Sequence, residues 1–265
     1  DQPSELYTTI DKSLNNNNKP TLKLIERPDI NGLKYILQLD EATYQKYYMK
    51  TDDHDKPLAL HSIKEWAQKH LDNEKNGVCS INVTYESKSN KPKGRLYATG
   101  GINIQYLSKH LRGILLGKNY KDIDIANCWF SIALLICEDY NKFRPDSIQF
   151  PHLYHYVKNR DAVFKKMRIP KAEGKELFNS VWNTDTYLTE INDEFLVGFY
   201  HEKVKLIKTI INDSEYISRY DDIDTIRNSP DYNKKNPLSS QMWYLISIIE
   251  TSVVLEKIKD CNEGT

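Results

Sequence analysis

Seven of the eight residues from Phe130 to Cys137 are apolar, and Ser131 is the one interruption. The run is less than half of the ~18–20 residues a membrane span needs, so its place is a core that the rest of the chain must build around it. No longer unbroken apolar run occurs, and no membrane partner is expected. The 265 residues suffice for such a core and match one or two domains. Hydrophobic residues make up 39% of the chain and 18 residues are Tyr, which excludes a disordered polymer. The 37 basic side chains balance 37 acidic ones. A zero net charge argues against a general nucleic-acid binder, although local charge can override it. Cys79, Cys128, Cys137 and Cys261 are far apart and form no C-x-x-C pair, so neither a disulfide scaffold nor a structural zinc site is expected. These features suit an intracellular, reducing compartment rather than secretion. Asp1-Gln2-Pro3-Ser4 is polar and lacks an initiator Met, which suggests a start inside a longer chain.

Periodicity assigns the elements. Ser13 to Pro20, with four consecutive Asn, reads as a loop. Leu60, Ile63, Ala67, His70 and Leu71 have helical spacing, stopped by Asp72-Asn73 and Gly77. Val78 to Tyr85 alternates as a strand and ends in the polar turn Ser87 to Lys93. Ile104 to Leu116 reads as one helix, and Tyr120 to Ile125 as a short strand with Asp122 and Asp124 on one face. That strand runs into a hydrophobic helix over Trp129 to Cys137. Tyr154 to Lys166 and Lys171 to Trp182 read as helices, the second preceded by Pro170. Asp213 to Lys235 is polar and mostly loop, and Leu238 to Ile258 is a long helix. The fold class is α+β and helix-rich.

Two constellations could carry chemistry. Asp122-Ile-Asp124 at a strand end could hold a divalent ion in a water-accessible position, but two acids on a solvated strand edge look the same. Lys158 to Lys175 contains seven basic and two acidic residues, among them Lys165, Lys166, Arg168, Lys171 and Lys175. Such a face could neutralise phosphates, or be an ordinary solvated surface. His152, Tyr154, His155 and Tyr156 form an aromatic cluster whose two His suit a metal by spacing. No acid or third His stands near them in sequence, so packing is the reading there.

The order of these signals adds to their individual weight. Gly94-Arg95-Leu96-Tyr97-Ala98-Thr99-Gly100-Gly101-Ile102-Asn103-Ile104-Gln105 resembles the T-G-R-L-S-S-x-x-P-N-L-Q segment of family A DNA polymerases, one residue longer and with Lys93 in place of the Thr. Ile123-Asp124-Ile125-Ala126-Asn127 is similar to motif A of that family, and Lys171-x-x-x-Lys175 to motif B. Asn236 to Gln241 with the helix beyond is similar to the N-x-x-x-Q helix that precedes motif C. Tyr120-Lys-Asp-Ile-Asp-Ile-Ala-Asn127 looks most like the divergent family A-like polymerases of virophages and transpovirons.

The resemblance, over Gly94 to Thr265, implies a polymerase-like palm with mostly helical fingers. Residues 1–90 keep an unassigned role, 91–150 begin the palm with motif A, 151–235 form the fingers with motif B, and 236–265 return to the palm. It implies template-directed extension of a DNA primer with deoxynucleoside triphosphates, and two Mg²⁺ ions ~3.5–4 Å apart. Asp124 and the Ile125 carbonyl would be metal ligands, with Asp122 the second acid by position. Lys175 would hold the triphosphate and protonate pyrophosphate, and Lys171 would bind outer phosphates as a point charge. Arg95, Gln105 and Gln241 would grip the primer–template, with Lys165, Lys166 and Arg168 adding charge. The implied setting is the cytoplasm or a viral replication compartment, with no proofreading acids in the first 90 residues.

Three departures stand out. Asn183 and Thr184 occupy the place of the aromatic–Gly pair eight residues beyond the motif B Lys, and neighbouring Trp182 is the candidate stacking ring. Trp129 stands five residues beyond Asp124, where a bulky ring would exclude a 2′-hydroxyl and so favour deoxynucleotides over a phage-type RNA polymerase activity. Motif C, source of the second catalytic Asp, would follow Thr265 by about 10 residues, so the chain reads as a fragment or a degenerate palm. Competing readings are a non-catalytic nucleic-acid-binding domain and a D-x-D glycosyltransferase; residues 1–90 show no doubly wound pattern for the latter.

Overall fold

The computed structural model describes residues 21–49, 58–87, 94–117, 125–144, 149–185, 193–220 and 235–263, the last seven by backbone alone. The expected loop over Ser13 to Pro20, most of the turn over Ser87 to Lys93, and the strand that carries Asp122 and Asp124 lie outside these residues. The fold is α+β and rich in helix, and it divides into two compact units. The division differs from the four expected segments. Residues up to 117 that follow Leu96 belong with the N-terminal elements, whereas the expected fingers and the last helix share one core with residues 125–150.

The first unit contains β1 (Thr21–Glu26), α1 (Ile30–Gln38), α2 (Glu41–Tyr47), α3 (Leu60–Asp72), β2 (Glu74–Lys75), β3 (Val78–Cys79), β4 (Ile81–Ser87), β5 (Leu96–Ala98) and α4 (Lys109–Leu116). The main sheet runs β1-β4-β5, antiparallel throughout, with Leu24 opposite Val83 and Tyr85 opposite Ala98. The strand expected over Val78 to Tyr85 is divided at Ser80. Its first part turns back on β2 through Asn76 and Gly77, both at positive φ (53° and 78°), the pairing that a tight hairpin requires. Helix starts follow local chemistry: Asp29 Oδ2 accepts from Gly32 N at 3.0 Å, and Asp40 Oδ1 from Thr43 N at 2.8 Å. That backbone bond holds the Asp40 carboxyl below its usual range. The helix expected over Ile104 to Leu116 is broken. A 3-10 turn, Ile104–Tyr106, ends where Ser108 caps α4 through Leu111 N at 3.4 Å. Leu33, Ile36, Ile63, Ala67, Leu107, Leu111 and Leu115 close the core.

The second unit contains α5 (Cys128–Phe143), α6 (Pro151–Met167), α7 (Lys171–Asn183), α8 (Glu194–Asn212), α9 (Ser214–Ile217) and α10 (Pro237–Glu263), along with Arg95. The Phe130–Cys137 run lies within α5 and is buried except at Ser131 and Leu135. Rings from four helices make the centre: Tyr156 stacks on Phe178 at 4.1 Å, Phe130 and Phe199 meet this pair edge-on, and Trp182 meets Phe130 in the same way. α8 buries Leu196, Phe199, Tyr200, Lys203, Leu206, Ile207, Ile210 and Ile211, a 3–4 stripe with one Lys inside it. α9 is a helical turn at the start of the segment expected to be loop. Pro237–Glu256 is long and apolar enough to cross a membrane by length and composition, which the absence of an unbroken apolar run concealed; 56% of that stretch is buried within the fold.

Candidate functional site

The basic corner between α6 and α7 is built by local rules. Arg168 takes the left-handed conformation (φ 58°); its N–H donates to Lys165 O at 3.2 Å, and Ile169 N donates to Phe164 O at 3.1 Å. This pair of bonds closes α6 in the manner of a Schellman cap, with Arg where Gly is usual. Pro170, which cannot continue the helix, then starts α7. α7 buries Gly174, Phe178, Val181 and Trp182, which turns Lys171 and Lys175 outward. Gly174 is required there: a Cβ would come within 2.6 Å of Cδ1 of Phe164. Lys165, Lys166, Arg168, Lys171 and Lys175 are all exposed. Lys171 Nζ lies 3.2 Å from Asp161 Oδ2, a pair open to water on both sides.

The segment that follows Asp124 is anchored to α6. Asn127 adopts φ 51°, ψ 39° at the start of α5, and its side chain does not cap that helix. Its Oδ1 accepts from Arg160 Nη1 instead, and its Nδ2 donates to Val157 O at 3.5 Å. Ser131 Oγ donates to Ala126 O at 2.8 Å. Arg160 and Asp161 follow the kink of α6 at Asn159 (φ −134°, ψ 33°). Arg160 Nε stands 3.8 Å from Asp161 Oδ1, so polar contacts run from Asn127 through Arg160 and Asp161 to Lys171. Asp122 and Asp124 lie outside the described residues. Of the expected metal ligands, Ile125 alone is described, and no group of three or more His, Cys, Asp or Glu among the described residues could hold a metal ion.

Arg95 and Trp129, expected to contact primer–template and nucleotide, are brought together. The Arg95 guanidinium lies 5.7 Å from the Trp129 ring and donates through Nε and Nη2 to Glu250 at 2.8 and 3.0 Å. Cys128 Sγ also donates to Glu250, and Trp243 meets Trp129 edge-on at 6.2 Å. Gln105, in the other unit, spends both ends of its amide on β5: Oε1 accepts from Ala98 N at 2.9 Å, and Nε2 donates to Leu96 O at 3.3 Å. Gln241 is buried, and four residues rather than three separate it from Asn236. Trp182 does not serve as a stacking face: it is 1% exposed, packed between Phe130 and Phe199. Apolar positions at the i, i+4 and i+8 places of Gly174, Phe178 and Trp182 put it on the core side of α7.

Three polar groups were not legible in the sequence. Glu202 accepts from the backbone N–H groups of His152 and Leu153, each at 3.0 Å, and sits 2.7 Å from His152 Nδ1. It is the acid that the local sequence around His152 lacks, supplied by α8. His152, His155, Lys166, Glu194 and Phe195 line a cavity of about 560 Å³. Asp185 accepts from Leu238 N at 2.8 Å and Ser239 N at 2.9 Å, which caps α10. Lys203, 2% exposed, donates to Thr184 O and lies 3.9 Å from Asp185 Oδ1. Burial lowers its pKa to about 8, against the opposing pull of Asp185. Comparison with protein-family models, curated proteins and solved structures finds no match for the chain.

Proposed function

We propose that the chain is the palm-and-fingers part of a DNA-directed DNA polymerase of the family A type, which transfers deoxynucleotides to a primer. The observation that carries this reading is the order of four segments along the sequence, Arg95–Gln105, Asp124–Asn127, Lys171–Lys175 and Asn236–Gln241. Two contacts favour it. Asn127, three residues past Asp124, is joined through Arg160 and Asp161 to Lys171, and Arg95 meets Trp129.

In this reading the primer 3′-oxygen attacks the α-phosphorus, the bond to the bridging oxygen breaks, and pyrophosphate leaves. Lys175 and Lys171 neutralise the triphosphate, and Lys175 returns a proton to the leaving group. Exposed Lys165, Lys166 and Arg168 hold the nucleic-acid backbone. Two Mg²⁺ ions would be held by Asp124, Asp122 and the Ile125 carbonyl and would supply charge stabilisation for the transfer. The described residues alone do not form that site.

A second reading, a degenerate palm that binds nucleic acid without catalysis, is favoured by Arg95 and Gln105. Both make internal hydrogen bonds at the groups expected to grip primer–template. Primer extension separates the two. Asp124→Asn and Lys175→Ala should each abolish extension by the chain carried on to whatever its gene encodes beyond Thr265, with binding to primer–template retained. Extension that survives Asp124→Asn overturns the polymerase assignment; binding without extension in the unaltered protein selects the second reading.

A further inference from the structure

The kinked turn of α6 contains an incomplete set of polar contacts. Arg160 gives Nη1 to Asn127, but its Nε is buried without a hydrogen-bond partner among the described residues. Asp161 Oδ1 lies 3.8 Å from it, beyond hydrogen-bonding range. A buried donor left unmade is costly, and a native structure that keeps one calls for an explanation. Asp161 has another partner: its Oδ2 lies 3.2 Å from the Lys171 ammonium. That second pair is exposed, with 57% of the Lys171 and 71% of the Asp161 side chain open to water, and pairs of this kind are worth little. One carboxylate therefore stands between a weakly held surface cation and a buried donor that lacks an acceptor.

We propose that Asp161 is a displaceable counter-ion for Lys171. It holds the ammonium until a nucleoside triphosphate takes it, and then turns to complete the hydrogen bond of Arg160 Nε. A triphosphate carries more charge than one carboxylate and outcompetes it for Lys171. The released Asp161 does not stay unpaired, because the Arg160 guanidinium is adjacent and always charged. Arrival of the nucleotide at α7 would thus tighten Arg160, which already holds Asn127 at the end of the segment that carries Ile125. Asp161 is a positioning residue in this scheme and does not touch the substrate.

The inference rests on Lys171 as a triphosphate ligand, and its test separates the two claims. The probes are dATP with Mg²⁺ and inorganic tripolyphosphate, titrated calorimetrically into the unaltered chain, Asp161→Asn, Lys171→Ala and the double variant. Melting curves confirm folding, and an exposed Asp161 makes its replacement tolerable. Asp161→Asn should tighten both probes by up to about fivefold at low salt, the scale of one exposed pair. The gain should shrink in high salt and vanish in the Lys171→Ala background. A purely structural Asp161 would leave affinity unchanged or weaken it. If Lys171→Ala weakens binding while Asp161→Asn does not alter it, the counter-ion role is refuted and the triphosphate role of Lys171 stands. If Lys171→Ala has no effect, or the unaltered chain binds neither probe, the assignment of Lys171 falls and the inference with it.

Discussion

His70 offers the sharpest test of the packing described above. It sits on the buried side of α3 at 0% exposure, its ring 4.4 Å from Trp66, and neither ring nitrogen has a hydrogen-bond partner among the described residues. Burial depresses its pKa from 6.5 to about 4, and Lys69 acts in the same direction. The native state therefore keeps His70 neutral while the unfolded chain takes up a proton near pH 6.5. The unfolded state binds more protons in this window, so stability falls as pH drops through 6.5, and the loss is complete below about 4. The gap corresponds to about 3 kcal/mol in full and about 2 kcal/mol between pH 7 and pH 5. His70→Leu removes the titrating group and two desolvated nitrogens, so it should flatten the pH dependence by that amount. It should also stabilise the first unit at pH 7 by about 1–3 kcal/mol, less any misfit of the new side chain. Hydrogen exchange of peptides from α3 in graded urea reads this unit directly. Equal pH dependence for the two proteins, or a native His70 that titrates near 6.5 by NMR, refutes the argument.

Two further expectations follow from the same physics. Arg168→Gly relieves a left-handed side-chain residue at the end of α6 and should stabilise the second unit by about 1 kcal/mol. It should also make the salt dependence of nucleic-acid binding shallower by about one phosphate contact; an unchanged salt slope removes Arg168 from the interface. Lys203, with its pKa lowered to about 8 by burial, loses its proton in the native state before the unfolded state does, so its contribution to stability rises with pH above 8. Relative to Lys203→Met, the unaltered protein should gain about 2 kcal/mol between pH 7 and pH 10 in urea unfolding, and a flat difference would show that Lys203 is not buried as described.

Elements that depend on neighbours within a turn or two are legible along the chain. The helix at Leu60, the α7 helix after Pro170 and the buried run at Phe130 follow from apolar spacing and from the Pro at one helix start, whose effects reach only three or four residues. α8 was equally open to such reading: Leu196, Phe199, Leu206 and Ile210 keep the stripe, and Lys203 within it disguises the core side. The spacing that made Trp182 a candidate stacking ring also placed it on the same side as Gly174 and Phe178, which only packing against Phe130 and Phe199 turned into burial. The tertiary structure decided every pairing between distant residues: Asn127 with Arg160, His152 with Glu202, Asp185 with Ser239, Arg95 with Glu250. A side chain's hydrogen-bonding capacity is written in its identity, but its partner is set by which helices the core draws together. The burial that draws them is non-directional, and it leaves no mark at fixed spacing along the chain.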